Sequence, residues 1–161
     1  MSLKQEIWDI LSEVPDPEIP VINVVEMGIV RDVEVHGDKV VVTITPTYSG
    51  CPAMKAIEDD ITEVLREKKI ASYEVKTVLS PPWTTDWMTD EAREKLRETG
   101  IAPPEKDSAD KGLLLGKVRT IKCPRCGSEH THMISQFGST ACKALYKCDD
   151  CLEPFDYFKC I

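Results

Sequence analysis

Val40-Val-Val-Thr-Ile-Thr-Pro-Thr-Tyr-Ser-Gly-Cys-Pro52 takes the chain from a strand, through a short loop, to the start of a helix. The first six residues are rich in β-branched side chains and read as a strand. Before them, residues 30–36 alternate, with Val33 and Val35 on one face, and Gly37-Asp38 supplies a turn, so the two runs make a hairpin. After the loop, Met54, Ile57, Ile61, Val64 and Leu65 recur at helical spacing and predict an amphipathic helix. Upstream, Leu3, Ile7, Ile10, Leu11 and Val14 form the apolar stripe of a first helix over residues 3–14, with Ser2 as its N-cap and Pro15 as its stop. Downstream, residues 73–79 alternate as a third strand. Thr89 or Asp90 then caps a shorter helix that turns Ala92 and Leu96 inward and ends at Gly100. The order α-β-β-α-β-α predicts an α+β domain over residues 1–100, with helices on one face of a small, mostly antiparallel sheet.

Residues 101–117 are charged, weakly patterned and contain Pro103-Pro104, which predicts a linker. Residues 118–161 hold two matched knuckles, Cys123-Pro-Arg-Cys126 and Cys148-Asp-Asp-Cys151, separated by 21 residues. Each knuckle curls the backbone so that two thiolates face one centre, and two knuckles supply a tetrahedral four-sulfur site. A structural Zn2+ held by Cys123, Cys126, Cys148 and Cys151 in a small zinc-ribbon domain is the expectation. Such a site has no open coordination position, which speaks against zinc catalysis. Cys142 and Cys160 read as buried thiols or neighbours of the metal ligands. His130 and His132 follow the first knuckle, but the four paired cysteines already complete the set.

Composition narrows the class. The chain has 161 residues, 42% hydrophobic and 30% charged, as expected of a globular protein with a medium domain and a small module. The opening residues are polar, with no secretory h-region, and no apolar run approaches the ~18 residues of a membrane span. Metal-type knuckles among seven cysteines point to a reducing, cytoplasmic setting. Residues 1–112 carry 13 Lys+Arg against 23 Asp+Glu, and residues 113–161 carry 7 against 5. Four thiolates around one Zn2+ add about −2 and offset the small basic excess of the second part. Neither half offers a basic face for phosphates, so nucleic acid is not an expected partner. A phosphate-binding Gly-rich loop, a Gly-x-Ser-x-Gly elbow and a His-Glu-x-x-His motif are all missing from the sequence.

Cys51 is the sharpest single candidate for chemistry. It precedes Pro52, and proline favours the first helical turn, so Cys51 falls at or next to the helix N-cap. Unpaired N–H groups and the helix dipole favour an anion there, and the thiolate is the metal-binding form. Gly50 permits close approach of a ligand or another backbone. The alternative is an inert cap residue. Asp16 and Glu18 flank Pro17 on a rigid extended loop. They suit a hard metal, a basic partner or acid–base work, or else a solvated loop whose Asp caps a turn. Thr47, Tyr48 and Ser49 lead into Cys51 and are placed to hydrogen-bond a thiolate or its ligand, or are ordinary loop residues. Trp83, Trp87 and Met88 read as core packing or as an interface anchor, with the core preferred. His36 follows a strand and is expected to be exposed.

Several segments resemble the PaaD-type family of bacterial phenylacetate degradation: Asp16-Pro-Glu-Ile-Pro20, Thr45-Pro-Thr-Tyr-Ser-Gly-Cys-Pro52, Trp83-Thr-Thr-Asp-Trp-Met88, Cys123-Pro-Arg-Cys-Gly127, residues 137–146 and residues 153–161. The part before the linker also resembles a wider family of small iron–sulfur assembly domains, in which a loop cysteine before a helix is the functional thiol. The resemblance implies an accessory component, not an enzyme, associated with the multicomponent oxygenase that epoxidises phenylacetyl-CoA. That oxygenase has a di-iron subunit and a reductase with flavin and an iron–sulfur cluster. The implied role is maturation or insertion of an iron centre, with Cys51 as the thiol that handles iron or a cluster and Asp16, Glu18 and Thr47 in the neighbouring loops. One thiol cannot complete a cluster's coordination, so a second copy or a partner would supply the rest. A structural oxygenase subunit that docks through its ribbon, and an electron carrier with iron in the four-cysteine site, are the alternatives.

Overall fold

The computed structural model describes residues 2–48, 50–103, 121–138, 140 and 143–158. Ser49, Cys142 and Cys160, and most of the expected linker, lie outside the described residues. The chain divides into two compact units, Met1–Thr89 and Asp90–Ile161.

In the first unit, α1 spans Leu3–Leu11. The Ser2 hydroxyl oxygen accepts from the Gln5 N–H at 3.2 Å, the expected cap. The helix ends before Val14, but the turn bonds Glu13 N to Ile10 O and Val14 N to Leu11 O continue its path and keep Val14 in the core. Strands β1 (Val30–His36) and β2 (Lys39–Ile44) form the expected antiparallel hairpin, pairing Val33 with Val42 and Val35 with Val40. Gly37 takes the left-handed conformation at its turn, φ +63°. Helix α2 (Ala53–Glu67) follows, then β3 (Ser72–Thr77).

Sheet polarity departs from expectation. β3 lies parallel to β2, with Val40 beside Tyr73 and Val42 beside Val75, in the strand order β1-β2-β3. The cause is α2, because a helical crossover carries the chain back to the end of the sheet at which β2 began, so that β3 runs in the same direction. Val33, Val40, Val42 and Ile44 are buried, as are Ile7 and Leu11 of α1 and Ile57, Ile61 and Leu65 of α2. Each such side chain contributes about 1.5–3 kcal/mol of burial. Apart from Val41, the alternate positions of β2 and their neighbours are polar, including Glu34, Thr43 and the exposed Lys39–Glu74 ion pair at 2.7 Å. This is the two-layer α+β arrangement. The segment after Asp16 adds Ile19, Ile22, Val24, Met27 and Ile29 to the core. Trp83 closes over it, donating its indole N–H to the Met27 carbonyl at 3.0 Å.

The second unit begins with α3 (Asp90–Glu98), followed by β4 (Ile101–Ala102), β5 (Thr131–Ser135), β6 (Lys143–Cys148) and β7 (Pro154–Phe158). Its sheet runs β4-β7-β6-β5. The sequence predicts that α3 closes the first domain and that residues 101–102 open the linker. Instead, α3 falls in the second unit, and Ile101 and Ala102 pair with Asp156 and Tyr157 of β7. Among the described residues, one buried cluster here comprises Ala102, Ile121, Cys123, Ala144, Cys148, Phe155 and Tyr157. Tyr146 adds ring contacts, stacked on Phe155 at 5.9 Å and edge-on to Tyr157 at 5.6 Å. Among the described residues, no helix is long and apolar enough to cross a membrane.

Candidate functional site

Cys51 ends the loop that leaves β2. Pro52 holds the capping position of α2, φ −68°, with no side-chain cap and no acidic residue in the first turn. The Cys51 N–H donates to the Tyr48 carbonyl, and the Met54 N–H donates to the Cys51 carbonyl, both at 3.2 Å. The thiol is free and half-buried. Gly50 is left-handed, φ +78°, and a Cβ there would meet nothing within 4 Å. Cys51 thus lies one residue before the capping position of a 15-residue helix whose first turn has no side-chain cap, a place where unpaired N–H groups suit an anionic ligand. The loop is pinned at its root. The Thr45 N–H donates to Ile29 O, and the Val78 N–H donates to Ile44 O, both at 2.9 Å. Thr47 is half-buried, and Thr45 is buried with no described partner for its hydroxyl.

Asp16 and Glu18 share a different turn. One Asp16 carboxylate oxygen accepts from the Glu18 N–H at 2.8 Å and the Ile19 N–H at 3.0 Å, and the Asp16 N–H donates to Ile22 O at 2.8 Å. Asp16 therefore does cap a turn, as Asp-Pro sequences do, but from a buried position, only 5% exposed, and not as a solvated residue. Glu18 is half-buried on the same turn.

Trp83 and Met88 are core residues. Trp87 is half-buried, with the Arg31 guanidinium 3.3 Å from its ring centroid. His36 is exposed and pairs with Glu34 at 3.0 Å.

In the ribbon, the four cysteine sulfurs converge. Cys123 Sγ lies 3.7 Å from Cys151 Sγ, Cys126 Sγ lies 3.5 Å from Cys148 Sγ, and all four fall within 4.8 Å of one another. Four sulfurs at about 2.3 Å from one zinc form a tetrahedron with edges of about 3.8 Å, so the donor set fits the ion. The knuckles are built alike. The Gly127 N–H donates to Cys123 O and the Cys123 N–H to Ser128 O, both at 2.9 Å, while the Cys148 N–H donates to Glu153 O at 3.1 Å. The residue after each second cysteine is left-handed: Gly127 at φ +76° and, without glycine's freedom, Leu152 at φ +64°. The Cys151 N–H points at Cys148 Sγ from 3.5 Å, and this amide, helped by that of Asp150, draws the Cys148 thiol down to about 7. At Cys151 the Glu153 amide pulls the same way, but burial and the neighbouring sulfurs outweigh it and push that thiol up to about 12.

The histidines sit beside this centre without joining the sulfurs. His132 Nδ1 pairs with Asp149 at 2.8 Å and His130 Nδ1 with Asp150 at 3.1 Å. Ser128 donates to the same Asp150 carboxylate, which lies below the usual carboxylate range chiefly through that hydroxyl and then through His130. Sequence reasoning treats Asp149 and Asp150 as mere spacers within a knuckle. The signal is there in the facing His-Thr-His and Asp-Asp runs, but it needs the strand register to be read.

Comparison with known proteins agrees with both halves. Residues 4–80 match the family described as iron–sulfur cluster assembly protein, and residues 107–159 match the PaaD zinc beta ribbon domain. An Escherichia coli (strain K12) protein, provisionally named as one of the subunits of 1,2-phenylacetyl-CoA epoxidase, is 53% identical over 97% of this chain and 92% of its own length. The Bacillus subtilis (strain 168) Fe-S protein maturation auxiliary factor YitW is 37% identical over 55% of this chain and 87% of its own. Among solved structures, a Bacillus anthracis domain of unknown function, DUF59, covers 58% of this chain and 90% of its own at 31% identity, with a TM-score of 0.54. A conserved hypothetical protein from Thermotoga maritima covers 59% of this chain and 94% of its own at 31% identity, with a TM-score of 0.51. With these relatives, an iron–sulfur assembly fold and four converging ribbon cysteines, the chain belongs to the PaaD family of iron–sulfur assembly-like proteins that end in a zinc ribbon.

Proposed function

We propose that this chain is a non-catalytic maturation factor that helps assemble or insert an iron or iron–sulfur centre in the multicomponent phenylacetyl-CoA epoxidase. The observation that carries the reading is the half-buried Cys51 thiol at the uncapped start of α2, in a domain whose relatives are named maturation auxiliary factors. Cys51 binds the iron or cluster as cargo, and the helix N-terminus offsets the added negative charge. Thr47 lines the same loop as a hydrogen-bonding side chain. Glu18, half-buried on the turn that Asp16 caps, offers a carboxylate for ferrous iron or for a basic residue of the client, and Asp16 holds that turn in place. A single thiol leaves the cargo's coordination incomplete, so a second copy or the client supplies the remaining ligands at handover. The clients are the iron–sulfur reductase or the di-iron oxygenase subunit, in the cytoplasm. Cys123, Cys126, Cys148 and Cys151 hold a structural Zn2+, which cross-links the two knuckles and gives the small ribbon core its stability.

Co-expression of the oxygenase and its reductase with wild type or Cys51→Ala tests this directly. The expected result is normal folding of the mutant and a deficit of iron or acid-labile sulfide in one client. Equal metal content in both would overturn the proposal.

One observation favours a second reading, a structural subunit that docks through its ribbon: Met133, Ile134, Phe137 and Leu152 are large apolar side chains left more than half exposed. It predicts stoichiometric co-purification with the oxygenase regardless of Cys51. An electron carrier with iron in the four-cysteine site would be coloured and would bleach on reduction, whereas the zinc form is colourless.

A further inference from the structure

Outside the four-sulfur centre, the ribbon carries a second group of metal-type ligands that the proposed function does not use. His130 and His132 are two residues apart where the chain enters and runs along β5, the edge strand of the ribbon sheet. His130 already belongs to the ladder, since the Asp149 N–H donates to its carbonyl at 2.7 Å. Side chains at i and i+2 of a strand share a face, with Cα atoms about 6.8 Å apart. Both imidazoles are held in the same manner. His130 Nδ1 pairs with Asp150 and His132 Nδ1 with Asp149, at 3.1 and 2.8 Å. Ser128 steadies the first pair by donating to Asp150. Nδ1 engaged by a carboxylate leaves Nε2 as the second ring nitrogen, and among the described residues nothing hydrogen-bonds either Nε2. Both side chains are more than half exposed, at 77% and 54%.

A carboxylate on one imidazole nitrogen is the usual support of a metal-ligating histidine, since it fixes the ring's orientation and raises the basicity of the other nitrogen. Two such supported rings on one strand face form a chelating pair. We propose that His130 and His132 bind a divalent late transition ion, of the Ni2+, Cu2+ or Zn2+ class that imidazole suits, through their Nε2 atoms, with water completing the coordination. Asp149 and Asp150 are the positioning residues, and they are also the two inner residues of the second zinc knuckle. The ribbon thus has two metal positions of different character. One is closed by four sulfurs, and the other is superficial, nitrogen-based and exchangeable. The site stands independently of Cys51 and of the maturation reading.

The test uses the untagged full chain with its four-cysteine centre loaded with zinc. Ni2+ is titrated by calorimetry into wild type, the H130A/H132A double variant, and D149N and D150N. Wild type is expected to take up one further ion, the double variant to lose that uptake, and each Asp→Asn variant to bind about 10–100-fold more weakly. Wild type that takes up no further ion, or a double variant that binds as tightly, overturns the proposal. A measurement on wild type alone guards against misfolded variants. Paramagnetic Ni2+ should broaden the ring signals of His130 and His132 before those of His36. Broadening of His36 first, or of all three alike, means that the pair does not chelate.

Discussion

The backbone of Gly28 lies against Trp87 so closely that a Cβ at position 28 would sit 2.7 Å from the Trp87 Cβ and 2.7 Å from its carbonyl oxygen. The contact joins the loop before β1 to the short 3-10 turn Thr85–Trp87, and the neighbouring Thr89 N–H donates to Glu26 O at 3.0 Å. Gly28 is also left-handed, φ +79°. Gly28→Ala therefore meets both a conformational penalty and a clash with backbone, and should lower stability by about 2–4 kcal/mol. Gly37→Ala is the control: also left-handed, but with nothing within 4 Å of the new Cβ, it should cost only about 1–2 kcal/mol. Urea unfolding midpoints measure both, and equal costs would mean that the Trp87 contact is unimportant.

In the second knuckle, Leu152 bears a left-handed penalty that Gly127 avoids in the first. Leu152 is 65% exposed, so removing its side chain sacrifices little burial. Leu152→Gly should stabilise the ribbon by up to about 1 kcal/mol, after allowing for glycine's extra entropy, while Gly127→Leu should weaken it by about 1–2 kcal/mol. Hydrogen exchange of ribbon amides gives the sign of each change.

Asp16 tests whether a candidate functional carboxylate is first of all a structural one. Asp16→Ala strands two N–H groups at a buried turn and should destabilise by about 1–3 kcal/mol, whereas Asp16→Asn keeps an acceptor and should cost less than half as much. Denaturation of the two variants decides it. If Asp16→Asn is stable yet lowers client iron in the co-expression assay, the negative charge itself is needed.

Removal of the zinc proposed for the ribbon should unfold that domain and leave the first unit intact. Among the described residues, the ribbon's buried cluster numbers seven, two of them cysteines of the four-sulfur set, and so small a core is expected to depend on the ion. A strong chelator should release one zinc per chain and expose the amides of β5–β7 to exchange, while those of β2 stay protected. Unchanged protection in β6 would show that the ribbon stands without metal. Acid should act like the chelator, because protons compete with the metal for sulfur. Ligating sulfur must be deprotonated, so metal occupancy should fall as the pH drops.

What the sequence makes legible follows the range of the interactions involved. The Ser2 cap, the Gly37 turn and the Cys51–Pro52 helix start are local, and residue order alone locates them. The four sulfurs are also legible, since each knuckle fixes its own pair and only the meeting of the pairs is long-range. The parallel pairing of β3 with β2 escapes sequence reading because alternation marks a strand without marking its direction. α3 is grouped with the wrong unit because helical periodicity does not say what a helix packs against. The burial of Asp16 is hidden because an Asp-Pro turn looks the same in sequence whether it faces water or the core. The pairing of the histidines with Asp149 and Asp150 depends on the β5–β6 register, which spacing alone does not supply.

The shared position of β2, antiparallel to one neighbour and parallel to the other, bears on the order in which the molecule forms. The β1–β2 hairpin closes across a two-residue turn and is a fast, local event. The bond from Val78 to Ile44 must wait until the whole of α2 and β3 has been made and folded back. Non-local pairings of this kind are the slow steps of small domains. The root of the Cys51 loop, tied to Ile29 on one side and flanked by Val78 on the other, is therefore completed late. On a growing chain, the thiol is synthesised well before the frame that presents it exists, so the cargo binding proposed for it would begin only when the first unit has finished folding.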